Sequence, residues 1–300
     1  MEIRVLRYFL AIAREGSITN AANYLHLSQP TLSRQISELE EQLGQQLFLR
    51  KSRSMVLTAE GMVLRKRAEE IVAMVDKTEA EFSAMENTVA GDIYIGGGET
   101  DAMKMVADIL WELRREYPDL RFHIHSGNAE DVTERLDKGL LDFGLLIHPV
   151  DYSKYEYIKL PAKNTWGVVM RKDSLLAQQG AVRKEDLLDA PLIFSRQAMA
   201  HSLKGNELTN WFGVDPEKLN INTTFNLFYN AAIMVDAGLG YAVTLDKLTN
   251  TSESSNLTFR PLEPRLESDL VIVWKKYPVF SVAAEKFLEK LQEKYGNIQQ

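Results

Sequence analysis

Five side chains able to exchange hydrogen bonds with the edges of nucleic-acid bases stand within seven positions of one another: Gln29, Thr31, Ser33, Arg34 and Gln35. They interleave with Leu32, Ile36, Leu39 and Leu43, whose recurrence every three or four residues predicts a helix with one buried stripe. Ser28 offers an oxygen to cap its start, and Pro30 sits in the first turn, where no backbone donor is lost. The open face then carries amides, hydroxyls and a guanidinium with little apolar bulk. That chemistry suits the DNA major groove. An ordinary helical hairpin with a polar outer face has the same spacing, so the neighbouring residues carry weight.

Upstream, Ala21, Ala22 and Leu25 share one helical face, and the two alanines leave room for a second helix to cross closely. Downstream, Gly44 ends the pattern. Leu47-Phe48-Leu49 and Met55-Val56-Leu57 then flank the run Arg50-Lys51-Ser52-Arg53-Ser54. Two short apolar runs around a cationic tip predict a hairpin wing, with Arg50, Lys51 and Arg53 placed to meet phosphates. The charge distribution agrees. Residues 1–67 hold ten Lys or Arg against six Asp or Glu, a balance of +4, which leaves −11 on the remainder of a chain whose net charge is −7. A basic head on an acidic body concentrates phosphate-binding potential at one end.

Other candidate chemistry is weaker. Gly96-Gly97-Gly98-Glu99-Thr100 has neither the Lys-Ser/Thr ending of a phosphate loop nor a dinucleotide fingerprint, and reads most simply as a strand-to-helix turn capped by Thr100. Glu99 and Asp101 there would repel an anion unless they point away. His123 and His125 alternate on a strand, but two imidazoles alone do not make a metal site. The absence of cysteine removes disulfides and thiolate metal sites and fits a reducing cytoplasm. No nucleophile elbow, His-Glu-x-x-His run or paired-aspartate motif assembles, so neither an enzyme nor a cofactor or metal is expected. Trp166, Trp211 and Trp274 are most simply core residues.

The elements that position these groups follow from periodicity. Ile3 to Glu15 predicts a first helix stopped at Gly16. After the wing a helical run extends to about Asn87, in which Leu64, Ala68, Ile71, Val75, Phe82 and Met85 keep the four-three alternation of a coiled-coil seam. The alternative for that seam is a helix packed on its own domain. The intermolecular use is expected because the run is long, free of Gly and Pro after Gly61, and lies between domains. Arg65 and Arg67 border the start of the seam and Glu79, Glu81 and Glu86 its end, which favours an antiparallel pair; helices of about 30 residues span about 45 Å.

Beyond Gly91 strands and helices alternate: Ile93–Gly96, Thr100–Tyr117, Arg121–His125, Ala129–Lys138 and Phe143–Ile147 predict a parallel sheet covered on both faces. A second set runs from Thr165 to Thr244, with Leu270–Trp274 and Phe280–Tyr295 after it. Two α/β lobes are expected, the chain crossing at about Leu160–Lys163 and returning at about Pro264–Asp269. Ligands of such sheets bind at strand ends, which selects Thr100, Ile147, His148, Ser195 and Asn226. Arg196 would pair with an acidic ligand or simply with surface carboxylates.

Residues 1 to about 60 resemble the winged helix-turn-helix of LysR-type transcriptional regulators. The likeness runs through Leu6-Arg7-Tyr8-Phe9, Gly16-Ser17, Ala21-Ala22, Leu27-Ser28-Gln29-Pro30, Leu32-Ser33-Arg34-Gln35-Ile36, Leu43-Gly44, Leu47-Phe48 and Leu57-Thr58-Ala59-Glu60-Gly61. Looser motifs, Asp142-Phe143-Gly144-Leu145, Gly238-Leu239-Gly240 and Val273-Trp274-Lys275, extend it over nearly the whole chain. The resemblance implies a DNA-binding domain at 1–60, a linker and dimerisation helix at 58–88, and an effector domain at 91–300. That last domain would be similar to periplasmic solute-binding proteins, with one doubly wound lobe at 91–161 and 268–300 and the other at 162–267. It implies that Gln29, Pro30, Ser33 and Arg34 face DNA, that Arg53 approaches the minor groove or backbone, and that Thr100 joins the effector cleft. Thr31 stands where the family commonly has a smaller residue. The partners implied are double-stranded DNA, a second copy of the chain as homodimer and then homotetramer, RNA polymerase and a small-molecule effector, with no membrane. A solute-binding protein of a transport system would explain the lobes but not the basic head.

Replacing Gln29 by Ala is expected to cost about 1–3 kcal/mol on the cognate operator and little on random DNA, as a base contact should. Replacing Lys51 should weaken both and reduce the salt-dependence slope by about one. Gel-shift titrations over a salt series measure both effects, and an unchanged operator preference in Gln29→Ala would remove Gln29 from base reading.

Overall fold

A computed structural model describes residues 1–51, 54–83, 89–148, 150–199 and 207–296, which form two compact units, Met1–Met85 and Glu86–Gln300. In the first unit, α1 (Ile3–Glu15) ends where Gly16 takes φ 62°, a left-handed turn that glycine adopts without strain. The Ser17 side chain caps α2 (Ile18–Tyr24), and the Ser28 side chain caps α3 (Gln29–Leu43) by accepting from the Thr31 N–H at 3.3 Å. Ala21, Ala22, Leu32, Ile36 and Leu39 are buried against Leu6, Phe9 and Ile12 of α1. Leu43 departs from the expected stripe. It is 40% exposed, because the helix turns out at Gly44 before it reaches the core.

The wing is the antiparallel pair β1 (Phe48–Lys51) and β2 (Ser54–Leu57). Its base is fastened twice. The Glu40 carboxylate accepts from the N–H groups of Leu47 and Phe48 at 2.7 and 3.1 Å, and the Thr58 hydroxyl donates to the Gln46 carbonyl at 2.7 Å. The same hydroxyl accepts from the Gly61 N–H, starting α4 (Ala59–Ser83). Gly61 is required there, since a Cβ would stand well inside contact distance of the Leu47 carbonyl oxygen.

Helix α4 corrects the seam. Ala68 is fully buried in the core of its own unit, with Leu64 and Ile71 packed against that core, so these three positions serve the head. Val75 is half-buried, Phe82 is 68% exposed, and Met85 lies outside the described residues. The reason is geometric: α1 presents an apolar groove to the first turns of α4 and covers the stripe there. Arg7 of α1 pairs with Asp76 across that contact. Arg65 and Arg67 pair within the helix to Glu69 and Glu70, which reduces the charge asymmetry expected to orient a partner.

The second unit holds β3 (Gly91–Gly97), α5 (Met103–Glu116), β4 (Leu120–Ser126), α6 (Ala129–Asp137) and β5 (Phe143–Ile147). There follow the long β6 (Tyr155–Arg171), β7 (Val182–Arg183), β8 (Leu192–Ser195), α7 (Arg196–Met199) and α8 (Glu207–Phe212). The chain then forms β9 (Ile221–Phe225), α9 (Phe228–Asp236), β10 (Tyr241–Leu245), β11 (Leu257–Glu263), β12 (Glu267–Lys275) and α10 (Val282–Tyr295). Strands run in the order β4-β3-β5-β12-β6-β10-β8-β9, with β11 beside β6. β4, β3 and β5 are parallel as expected, but β12 and β6 are antiparallel additions, so the sheets are mixed.

Strand β6 starts at Tyr155, well before the Thr165 start that the sequence pattern predicts. Its first half pairs with β12 and its second half with β10 and β11, so one strand passes between the lobes. β12 returns beside it, Glu267 to Asp269 lying opposite Thr165 to Lys163. One core gathers Ile93, Val106, Phe143, Ile272 and Phe287, and another gathers Val168, Leu192, Phe194, Phe212 and Val243. No described helix is long and apolar enough to cross a membrane.

Gly61→Ala should destabilise the first unit by about 1–3 kcal/mol, the usual cost of overpacking. Gly180→Ala, where a Cβ meets nothing within 4 Å, should leave stability within about 0.5 kcal/mol of wild type. Urea unfolding of both variants measures the difference.

Candidate functional site

On the outer face of α3, Gln29, Pro30, Thr31 and Arg34 are exposed, with Ser33 and Gln35 half-buried beside them. The Thr31 hydroxyl lies 2.7 Å from that of Ser28, which ties it to the helix cap. Arg34 Nε donates to Glu38 Oε1 at 2.7 Å and Gln35 Nε2 donates to Glu38 Oε2 at 2.9 Å. Glu38 therefore holds two base-reading candidates in one orientation. Its four-residue offset from Arg34, the spacing of a helical ion pair, is a signal legible in the sequence. Arg50 and Lys51 lie in β1, opposite Met55 and Ser54, on the way to the hairpin tip; Arg53 lies outside the described residues.

A cavity opens between the lobes of the second unit. Ile147 and His148 at the end of β5, Ser195 at the end of β8, and Asn226 between β9 and α9 all line it. They meet because parallel strands deliver their carboxyl ends to one edge. Trp166, Phe225 and Phe228 add aromatic wall. Trp166 packs against the core of the second lobe as expected, but β6 also carries it onto the cavity surface, where its indole N–H donates to the Ser268 hydroxyl at 2.9 Å. Trp274 is buried in the core of the first lobe, and Trp211 donates to the Pro264 carbonyl at 2.7 Å. His148 is exposed at the mouth, its Nδ1 3.2 Å from the Tyr152 hydroxyl.

Thr100 does not line the cavity. It is 9% exposed, its hydroxyl donates to Asn164 Oδ1 at 3.0 Å, and it accepts from the Ala102 N–H at 3.2 Å. The turn before α5 points it at β6 instead. Its neighbours reach across to the other lobe: the Glu99 carboxylate accepts from the Phe228 N–H, and Asp101 lies 3.7 Å from Lys247 Nζ. A hydrogen bond from Lys104 holds the Asp101 carboxyl below the ordinary carboxylate range, aided by the charges of Lys104 and Lys247 and opposed by burial. Gln197 makes a third crossing, its Oε1 accepting from the Ala129 N–H at 3.1 Å. Arg196 is exposed and lines a neighbouring groove with Asp137 and Asp151. His123 bonds Asp92, His125 bonds Asp131, and no metal-binding cluster occurs among the described residues.

Residues 3–62 match the model of the bacterial regulatory helix-turn-helix proteins of the lysR family, and residues 86–296 match the LysR substrate binding domain. The chain belongs to the LysR family. It is 28% identical to the uncharacterised HTH-type transcriptional regulator YvbU of Bacillus subtilis, with 99% of each chain covered. It is likewise 28% identical to the Hca operon transcriptional activator HcaR of Escherichia coli, again over 99% of each. Among solved structures, the LysR family transcriptional regulator CbnR has a TM-score of 0.74 at 18% identity, covering 98% of this chain and 99% of that one, a likeness of fold. Full-length BenM has a TM-score of 0.53 at 26% identity, covering 99% and 98%. This LysR-family chain is a DNA-binding transcriptional regulator with an effector-binding domain.

Thr100→Val should act on stability rather than at the cavity. It leaves the buried Asn164 carboxamide without its donor, at a cost of about 1–3 kcal/mol. Chemical denaturation of the second unit's transition reads that loss directly. A variant of full stability with altered ligand affinity would return Thr100 to the cavity.

Proposed function

We propose that this regulator reads its operator with Gln29, Ser33 and Arg34 of α3 in the major groove, assisted by Pro30 and Thr31 at the helix start. Arg50, Lys51 and Arg53 of the wing hold phosphates. The observation that carries this reading is the polar, exposed face of α3, rigidly mounted on a buried stripe of Leu32, Ile36 and Leu39. Glu38 keeps Arg34 extended along the helix until a guanine edge or a phosphate replaces it. A small-molecule effector, with no other cofactor, occupies the cavity bounded by Ile147, His148, Ser195, Asn226 and Trp166, and its binding resets the protein's geometry on DNA. The protein works in the cytoplasm, without enzymatic activity, as a homodimer and then a homotetramer, with RNA polymerase as a further partner. Footprinting on DNA upstream of its own and neighbouring genes tests the reading; protection of random and upstream DNA alike would overturn it.

The dimer uses the faces of α4 that α1 leaves open, where Met62, Val63 and Phe82 are exposed apolar groups. An antiparallel pair holds the two heads apart. In this cysteine-free chain, a spin label on Val63→Cys reports orientation without competing sites. Antiparallel helices crossing near their midpoint place the two labels about 25–30 Å apart along the axis. Parallel helices leave them at about 10 Å, the spacing of packed helices. Pulsed electron-spin distance measurement separates the two.

A further inference from the structure

A cavity at the meeting of helix starts is ordinarily a place for an anion, because first-turn N–H groups have no partner inside their own helix. Here the protein uses those donors itself. Glu99, from the first lobe, puts its carboxylate on the N–H of Phe228, the first residue of α9 in the second lobe. Gln197, from the second lobe, puts its amide oxygen on the N–H of Ala129, the first residue of α6 in the first. Both side chains also line the cavity. Its charged groups reinforce the effect: Glu99 and Glu207 are carboxylates, and no Lys or Arg stands among the described lining residues. Arg196 belongs to the neighbouring groove. The remaining wall is largely apolar, with the rings of Trp166, Phe225 and Phe228 among its members. The cavity has a volume of about 110 Å³, against the roughly 10–15 Å³ that holds one water. That is room for one ring and a short polar head.

We propose that Glu99 is a specificity-determining residue of this cleft and that the ligand is a small apolar ring compound with a neutral or cationic, hydrogen-donating head. The inference rests on the reading of the cavity as the effector site and deepens it. An entering carboxylate must either displace Glu99 from the Phe228 N–H or sit beside it as a like charge in a partly desolvated space. An amide or ammonium head instead donates to Glu99 while that carboxylate keeps its backbone bond, since a carboxylate oxygen accepts more than one hydrogen bond.

The test uses three probes of matched size, phenylacetate, phenylacetamide and phenethylammonium, titrated calorimetrically into the full chain. Wild type should bind the amide and the ammonium at least about tenfold more tightly than the carboxylate. Glu99→Gln should strengthen phenylacetate and weaken phenethylammonium, narrowing that gap. Phenylacetate binding wild type as tightly as the amide overturns the proposal while leaving the cleft reading intact, and this comparison needs no variant. An unchanged order in Glu99→Gln overturns it as well. Ser195→Trp, which fills the cavity, separates the two readings: binding unmoved by that substitution, or no binding by wild type and Glu99→Gln alike, removes the cleft reading and the head-group rule together.

Discussion

Every helix begins with backbone N–H groups that nothing inside it can accept, and this protein is arranged around how those donors are answered. Ser17, Ser28, Thr58, Asn128 and Ser281 answer them locally, each from the residue before its helix. Ser28 thereby sets where the recognition helix starts, and with it which side chains face outward. Thr58 joins the wing to α4 by accepting from the Gly61 N–H and donating to the Gln46 carbonyl. At the cleft the answer comes from the opposite lobe. α9 and α6 receive Glu99 and Gln197, so the caps that complete two helices also hold the lobes together.

The lobes can meet in this way because β6 and β12 pass between them as a hydrogen-bonded antiparallel pair. A crossing made of paired strands resists twisting more than a single loop would, and it keeps the carboxyl ends of β5 and β8 near one another. The register shift between Asp269 and Val271 falls on the returning strand at the same level. Asn164 and Thr165, both buried, sit on the outgoing strand there, and Asn164 is the acceptor for Thr100. Irregular pairing and buried polar contacts thus coincide where the two lobes join.

In α4 one apolar stripe meets two demands. The first turns must cover the core of the head, and Ala68 does so completely, with its small side chain allowing α1 to approach. Later positions such as Phe82 find no such cover. A sequence period of 3.5 residues specifies which residues share a face, but it is silent on whether that face meets its own domain or another chain.

The sequence by itself determined the head nearly in full: helix limits at Gly16 and Gly44, the cap at Ser28, the wing strands and the polar face of α3. These are local features, set by caps, glycine conformations and short-range periodicity. It also determined that Ile147, His148, Ser195 and Asn226 would gather, because strand ends in such sheets point to one edge, although the same argument misplaced Thr100. Only the tertiary structure decided the rest. Thr100 and Glu99 are adjacent, yet one turns to Asn164 and the other spans the cleft. Trp166 packs against the second lobe's core, and only the course of β6 past the cavity makes it part of that wall as well. Leu64, Ala68 and Ile71 could not be assigned until α1 was seen against them. In each case the deciding partner lies far along the chain, and a one-dimensional pattern records what a side chain is without recording what it meets.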